Sequence, residues 1–276
     1  MVDGGIGYQP PSKGLNFRFV LGGFKMEIGA QLYTVRDYTQ NLDDFAKTLE
    51  RIAKIGYKIV QVSGTCEYEA DWLDAQLKKN GLKCVLTHYN ACEVRDNTLE
   101  VIKKHNGFGC KNIGLGCMPN GASEENLSIF INEFKDVAKT ISENGSQLFY
   151  HNHHWEFSKC QDGELMIDKL TKAFAPNELQ ITLDTYWVQY AGGDVCDVVD
   201  KLSGRLTAVH LKDLIIVGND QRMERVGYGN LNFPKIIKHL EKAGTKYLLV
   251  EQDNCYEMDP FECLKQSYEY LKSQGL

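Results

Sequence analysis

A single closed (β/α)8 barrel, the TIM-barrel architecture, is the fold this sequence predicts, and two observations predict it. From Met26 onward, short apolar runs alternate eight times with amphipathic helices, which implies parallel strands joined by crossovers. No GxGxxG or GxxxxGK[ST] turn follows the first strand, so an open, doubly wound sheet lacks its phosphate-binding signature and eight units favour closure.

Each element follows from its local pattern. Runs rich in β-branched and aromatic residues read as strands, and apolar residues at i, i+3 and i+4 read as helices. MEIGAQLY (26–33) is the first strand. Asn41 opens a helix with Leu42, Phe45, Leu49, Ile52 and Ile55 on one face, and Gly56 stops it. YKIVQVSG (57–64) is the second strand, with a helix over 69–80 ending before Gly81; LKCVLTHY (82–89) is the third, with a helix over 97–106. KNIGLGC (111–117) is the fourth strand, and Ser123 opens a long helix that ends near Asn144-Gly145. SQLFYHNH (146–153) and a helix over 163–175 follow, then LQITLDT (179–185) and a helix over 194–201. LTAVHLKD (206–213) is the seventh strand, and 214–232 reads as a long loop. FPKIIKHLEKAG (233–244) takes Pro234 in its first turn. KYLLVEQD (246–253) is the eighth strand, and a helix over 260–274 closes the chain.

Residues 1–25 differ. They hold six glycines and two of the six prolines with no helical period, so they read as an N-terminal extension ahead of one domain spanning 26–276. The whole chain carries a formal charge of −6 with 25% charged residues. That balance argues against nucleic acid, whose phosphates draw on a basic field, and against an anionic membrane surface. No apolar stretch reaches the roughly 18–20 residues of a membrane span. Nine cysteines without a Cys-x-x-Cys pair read as free thiols of a cytoplasmic protein.

In a closed barrel, chemistry sits where strands end. Five of the seven histidines fall there: His88 on the third strand, His151, His153 and His154 on the fifth, and His210 on the seventh. Asp184 ends the sixth strand, Lys212 follows the seventh, and Glu251 ends the eighth. Buried carboxylates after apolar strands need a partner or a metal. Neighbouring strands lie about 4.8 Å apart, so one ligand each from strands five to eight can converge on a divalent ion, with His151 or His153 as the fifth-strand donor. His88 and Lys212 face substrate in this reading or serve packing and solvation.

The segments IGAQLYTVRD, YHNHHWEF, LDTYWV, VHLKD, VGYGNLNF and VEQD resemble the xylose isomerase-like TIM barrels known as sugar phosphate isomerases/epimerases, in their YHNH subgroup. The superfamily also contains inosose dehydratases, ketose 3-epimerases, hydroxypyruvate isomerases and endonuclease IV. The resemblance implies metal ligands at Asp184, His210 and Glu251, and places His151 where most members carry a glutamate. It implies one divalent ion, Mn²⁺ before Zn²⁺, Co²⁺ or Mg²⁺. The expected activity is isomerisation or epimerisation of a sugar or other small polyhydroxy carbonyl compound by α-proton transfer through a metal-stabilised enediolate. Glu251, His153, His88 and Lys212 are the catalytic candidates. The alternative is a metal-dependent dehydratase acting on a keto-sugar or keto-inositol, and a third reading is a non-catalytic sugar-binding protein. A homo-oligomer is compatible with the resemblance.

Overall fold

The computed structural model describes residues 25–276. The extension expected over 1–25 lies, apart from Lys25, outside the described residues. The strands are β1 (Glu27–Gln31), β2 (Ile59–Val62), β3 (Lys83–Thr87), β4 (Asn112–Leu115), β5 (Gln147–His151), β6 (Leu179–Asp184), β7 (Ala208–Leu211), β8 (Asp213–Val217), β9 (Asp220–Glu224) and β10 (Tyr247–Val250). The helices are α1 (Leu42–Ile55), α2 (Ala70–Asn80), α3 (Ala91–Asp96), α4 (Thr98–Gly107), α5 (Glu124–Glu143), α6 (Met166–Ala173), α7 (Thr185–Tyr190), α8 (Val195–Lys201), α9 (Phe233–Lys242) and α10 (Pro260–Ser273). Eight parallel strands form one sheet in the order β3-β2-β1-β10-β7-β6-β5-β4. The barrel is nearly closed. Across the remaining seam the Tyr89 amide donates to the Gly114 carbonyl at 2.8 Å and the Asn112 side chain donates to the Val85 carbonyl at 2.7 Å. The seam requires glycine at 114, because a Cβ there would lie 2.1 Å from the Thr87 carbonyl oxygen.

Helix starts follow the expected caps: the Asn41 side chain accepts from the Asp44 amide, and Ser123 from the Asn126 amide. The helices bury apolar faces against the outside of the sheet, with Phe45, Leu49 and Ile52 of α1 fully covered.

Inside the barrel, strand alternation makes two layers. The lower one is apolar and includes Ile59, Val85, Phe149, Ala208 and Leu249. Gly29 belongs there, since a Cβ on it would meet Leu249 and Ile59 at 2.7 and 2.8 Å. Two residues further along the same strands come Gln61, His151, His210, Glu251 and Gln31. This step of two converts an apolar floor into a polar mouth.

Three stretches depart from expectation. The loop read over 214–232 contains an antiparallel hairpin, β8–β9, turning at Gly218-Asn219. Asp213 organises the rest of it: its carboxylate accepts from the backbone amides of Leu214, Gly227, Gly229 and Leu231 at 2.7–3.1 Å. Helices α3 and α7 were not expected. The latter starts immediately after β6 because the Asp184 carboxylate caps it, accepting from the amides of Tyr186 and Trp187. The fifth strand stops at His151, short of the expected 153.

Candidate metal centre

Four side chains end β5, β6, β7 and β10, which are adjacent in the sheet. One donor atom each from His151, Asp184, His210 and Glu251 lies within 4.8 Å of all the others. All four residues are buried. His151 Nε2 is 3.3 Å from Asp184 Oδ2, and His210 Nδ1 is 3.0 Å from Glu251 Oε2 and 3.8 Å from Asp184 Oδ2.

Hydrogen bonds made by the far ring nitrogens decide what faces inward. His151 Nδ1 donates to the Gly116 carbonyl at 2.9 Å, and His210 Nε2 donates to Gln61 Oε1 at 2.7 Å. A neutral ring at either position presents a lone pair to a carboxylate oxygen, whereas a protonated His151 donates from Nε2 to Asp184 Oδ2 at 3.3 Å. His210 Nδ1 makes no hydrogen bond despite its short approach to Glu251. Imidazole nitrogens and carboxylate oxygens at these distances are held together by a proton or by a metal ion between them. A divalent ion with two nitrogen and two carboxylate ligands can fill that place, and the donor chemistry suits Mn²⁺, Zn²⁺ or Co²⁺.

Lys212, a catalytic candidate, lies against the donors, and its burial overturns the reading of it as a solvated lysine. It is fully buried, with Nζ 2.9 Å from Asp184 Oδ2, 2.8 Å from Glu251 Oε2 and 2.9 Å from Asp253 Oδ1. Three carboxylates against one ammonium carry a formal excess of two negative charges, which one dication would balance. The neighbouring charges also set the protonation of each group. Burial opposes ionisation of Glu251, but Lys212 and His210 outweigh it and hold its carboxyl well below the usual range. Asp184 is lowered the same way, by Lys212 and His151 against burial. Burial alone would lower Lys212, yet its three carboxylate partners raise it. For His151, burial is outweighed by Asp184 and Glu251 and the ring is raised; for His210 burial prevails and it is lowered. Asp253 is pushed up to about 6 by burial and by Glu251.

Above the donors opens a cavity of about 600 Å³ whose walls include His88, His151, His153, Lys212, Glu251 and Asp253. His88 bonds Ser63 through Nδ1 at 3.2 Å and leaves Nε2 buried without a hydrogen bond. Burial and the adjacent rings of His151 and His210 hold it well below its ordinary value. His153 stands outside the four-donor set. Its ring packs on His151, Trp155 and Trp187, and burial pushes it down to about 3. Both imidazoles are therefore neutral at physiological pH.

Glu156 touches no donor. It accepts from Tyr150 Oη, Trp155 Nε1 and the His153 backbone amide, and so fixes the turn after β5. Two residues of the centre went unread in the sequence. Gln61 sets the His210 tautomer, and Gln31 donates to Glu251 Oε1 at 2.7 Å. A buried amide two residues beyond an apolar strand position, as in IVQV and IGAQ, was the available signal.

A (β/α)8 barrel with a His-Asp-His-Glu cluster at its strand ends defines the class of barrels able to hold a divalent ion at that mouth. Residues 49–274 match the xylose isomerase-like TIM barrel family, and the chain belongs to it. Among curated relatives, inosose dehydratase of Geobacillus thermodenitrificans is 22% identical over 268 residues, covering 83% of this chain and 89% of that protein. The crystal structure of a sugar phosphate isomerase/epimerase from Parabacteroides distasonis superposes with a TM-score of 0.74 at 20% identity, covering 90% and 98% of the two chains. L-ribulose 3-epimerase gives 0.70 at 13% identity, covering 91% and 94%. Nine free cysteines agree with the expected thiols, and among the described residues no helix is long and apolar enough to cross a membrane.

Proposed function

We propose that this chain is a divalent-metal-dependent enzyme that removes a proton from the carbon beside the carbonyl of a small polyhydroxy compound. The observation that carries the reading is the convergence of two imidazole lone pairs and two carboxylates within 4.8 Å beneath an open cavity. When bound, the ion supplies Lewis acidity to a substrate carbonyl. The protein's own groups do the rest. Glu251, held in place by Gln31 and Lys212, is the carboxylate that takes the proton. Lys212, beside Glu251 on the cavity wall, would offer a positive charge to a developing oxyanion. His88 and His153, neutral on the cavity wall, would orient substrate hydroxyls through hydrogen bonds.

One observation favours elimination over epimerisation. A two-base epimerisation needs a basic group on each face of the substrate. Where a second carboxylate would stand, His151 has one nitrogen on Gly116 and the other in the proposed ligand set beside Asp184, so with an ion held there neither nitrogen is free to take a proton. With no second carboxylate opposite it, Glu251 suits removal of the α proton and its return to a leaving β-hydroxyl, which departs as water and leaves a carbon–carbon double bond. The inosose dehydratases among the relatives agree with this dehydratase reading.

The test is incubation of metal-loaded protein with ketoses and keto-inositols in D₂O. A dehydratase releases water and gives an unsaturated product. Return of the intact sugar with one deuterium and an inverted carbon would establish epimerisation instead. Absence of exchange at any carbon, in protein shown by elemental analysis to carry one ion, would overturn the reading.

A further inference from the structure

We infer that Lys212 and Asp253 together set the divalent-cation affinity of the centre, Lys212 as a built-in competitor for the ligand oxygens and Asp253 as the group that holds it back. The inference rests on the proposal that His151, Asp184, His210 and Glu251 bind a divalent ion.

Geometry makes the competition direct. The oxygens that Lys212 Nζ touches, Asp184 Oδ2 at 2.9 Å and Glu251 Oε2 at 2.8 Å, are the ones that face the histidine lone pairs. A cation at the centre and the ammonium must therefore share them. Lys212 is fully buried, so water does not screen the repulsion between the two positive charges. Its other partner is Asp253, which holds Nζ through both oxygens at 2.9 and 3.1 Å. Asp253 pulls the ammonium toward the cavity side and cancels its charge. With that pair neutral, Asp184 and Glu251 carry the two charges that a dication neutralises. Removing the lysine charge leaves three carboxylates for the ion. Removing the aspartate charge leaves the ammonium to the two ligands alone.

The two deletions therefore act in opposite directions, which damage to the fold does not do. Apo protein is titrated with Co²⁺ alone in competition with a coloured chelator, with circular dichroism as the check on folding. Lys212→Met is expected to bind Co²⁺ at least tenfold more tightly than wild type and Asp253→Asn at least tenfold more weakly. The double variant is expected to return toward wild type. Unchanged or weaker binding by folded Lys212→Met overturns the inference. If that variant does not fold, unchanged or tighter binding by Asp253→Asn overturns it. Wild-type protein that takes up no Co²⁺ removes the metal-centre proposal and this inference together, whereas Co²⁺ binding with the wrong signs removes this inference alone.

Discussion

Replacing Gln61 by leucine deletes a side chain that touches neither the cavity nor the proposed ion, and should nevertheless weaken metal binding. Gln61 Oε1 receives the Nε2 proton of His210 across 2.7 Å, and both residues are fully buried. In the variant that N–H has no acceptor, at a cost of about 1–3 kcal/mol. The cheapest escape is to move the proton to Nδ1, where Glu251 Oε2 waits at 3.0 Å. That escape converts the donor nitrogen into an N–H and removes it from the ligand set. Loss of such a supporting hydrogen bond typically costs about 10–100-fold in metal affinity, or about 1.4–2.7 kcal/mol at 1.36 kcal/mol per decade, which is the same range as the orphaned N–H. The assay is Co²⁺ affinity of the apo protein by chelator competition, with the urea midpoint measured in parallel. Affinity within twofold of wild type, in a variant that remains folded, would refute the argument that Gln61 chooses the tautomer.

Three other outcomes are expected. Asp184→Ala and Glu251→Ala should each lose the bound ion by elemental analysis and destabilise the fold by about 3–5 kcal/mol, because each leaves Lys212 with a buried charge less well paired; ion content equal to wild type would remove the assignment. Gly114→Ala should lower the unfolding free energy by about 1–3 kcal/mol or more, since its Cβ meets the Thr87 carbonyl at 2.1 Å; an unchanged urea midpoint would mean that the seam is looser than described. His105 packs in the core, bonded to Thr87 Oγ1 and the Val101 carbonyl, and burial pushes it down to about 4. A histidine lowered from its unfolded value of about 6.5 contributes stability above that pH and loses it as pH falls through about 4, a span worth about 3 kcal/mol. Urea titrations of wild type and His105→Phe at pH 7 and pH 4 check this: the wild type should lose more than the variant, and parallel losses would exclude His105 as the cause.

The barrel was legible because each of its eight strands is a largely apolar run next to a helix with one apolar face, as in YKIVQV and in the helix carrying Phe45, Leu49 and Ile52. The four donors were legible because ionisable groups closing apolar strands are costly unless they act together. The choice between His151 and His153 was not open to alternation alone. Strand geometry ends at His151, and Glu156 then turns the chain so that His153 joins the tryptophans. Gln31 and Gln61 escaped notice because a neutral amide leaves no charge pattern. The β8–β9 hairpin had a signal in its Gly-Asn turn, but its outer strand, DQRME, is largely polar and has no buried residue, and so carries no apolar period. Helix α7 depends on one carboxylate oxygen of Asp184 serving as a cap while the other faces the histidines, a double duty with no local sequence mark.

The order of strands around the cylinder divides labour between the two halves of the gene product. Among the described residues, those before residue 120 bring chiefly uncharged groups to the mouth: the amides of Gln31 and Gln61, the hydroxyl of Ser63 and the ring of His88, with Arg36 reaching the Asp253 carbonyl. The charged cluster there, Asp184, Lys212, Glu251 and Asp253, arrives after residue 147 on one unbroken arc opposite the seam. On the proposed function, a guest molecule would meet a charged shore and an uncharged one. Directed evolution of which guest is admitted belongs on the amino-terminal half, and redesign of what happens to it belongs on the carboxy-terminal half. The two libraries can be built separately and recombined at the long α5 helix that joins them.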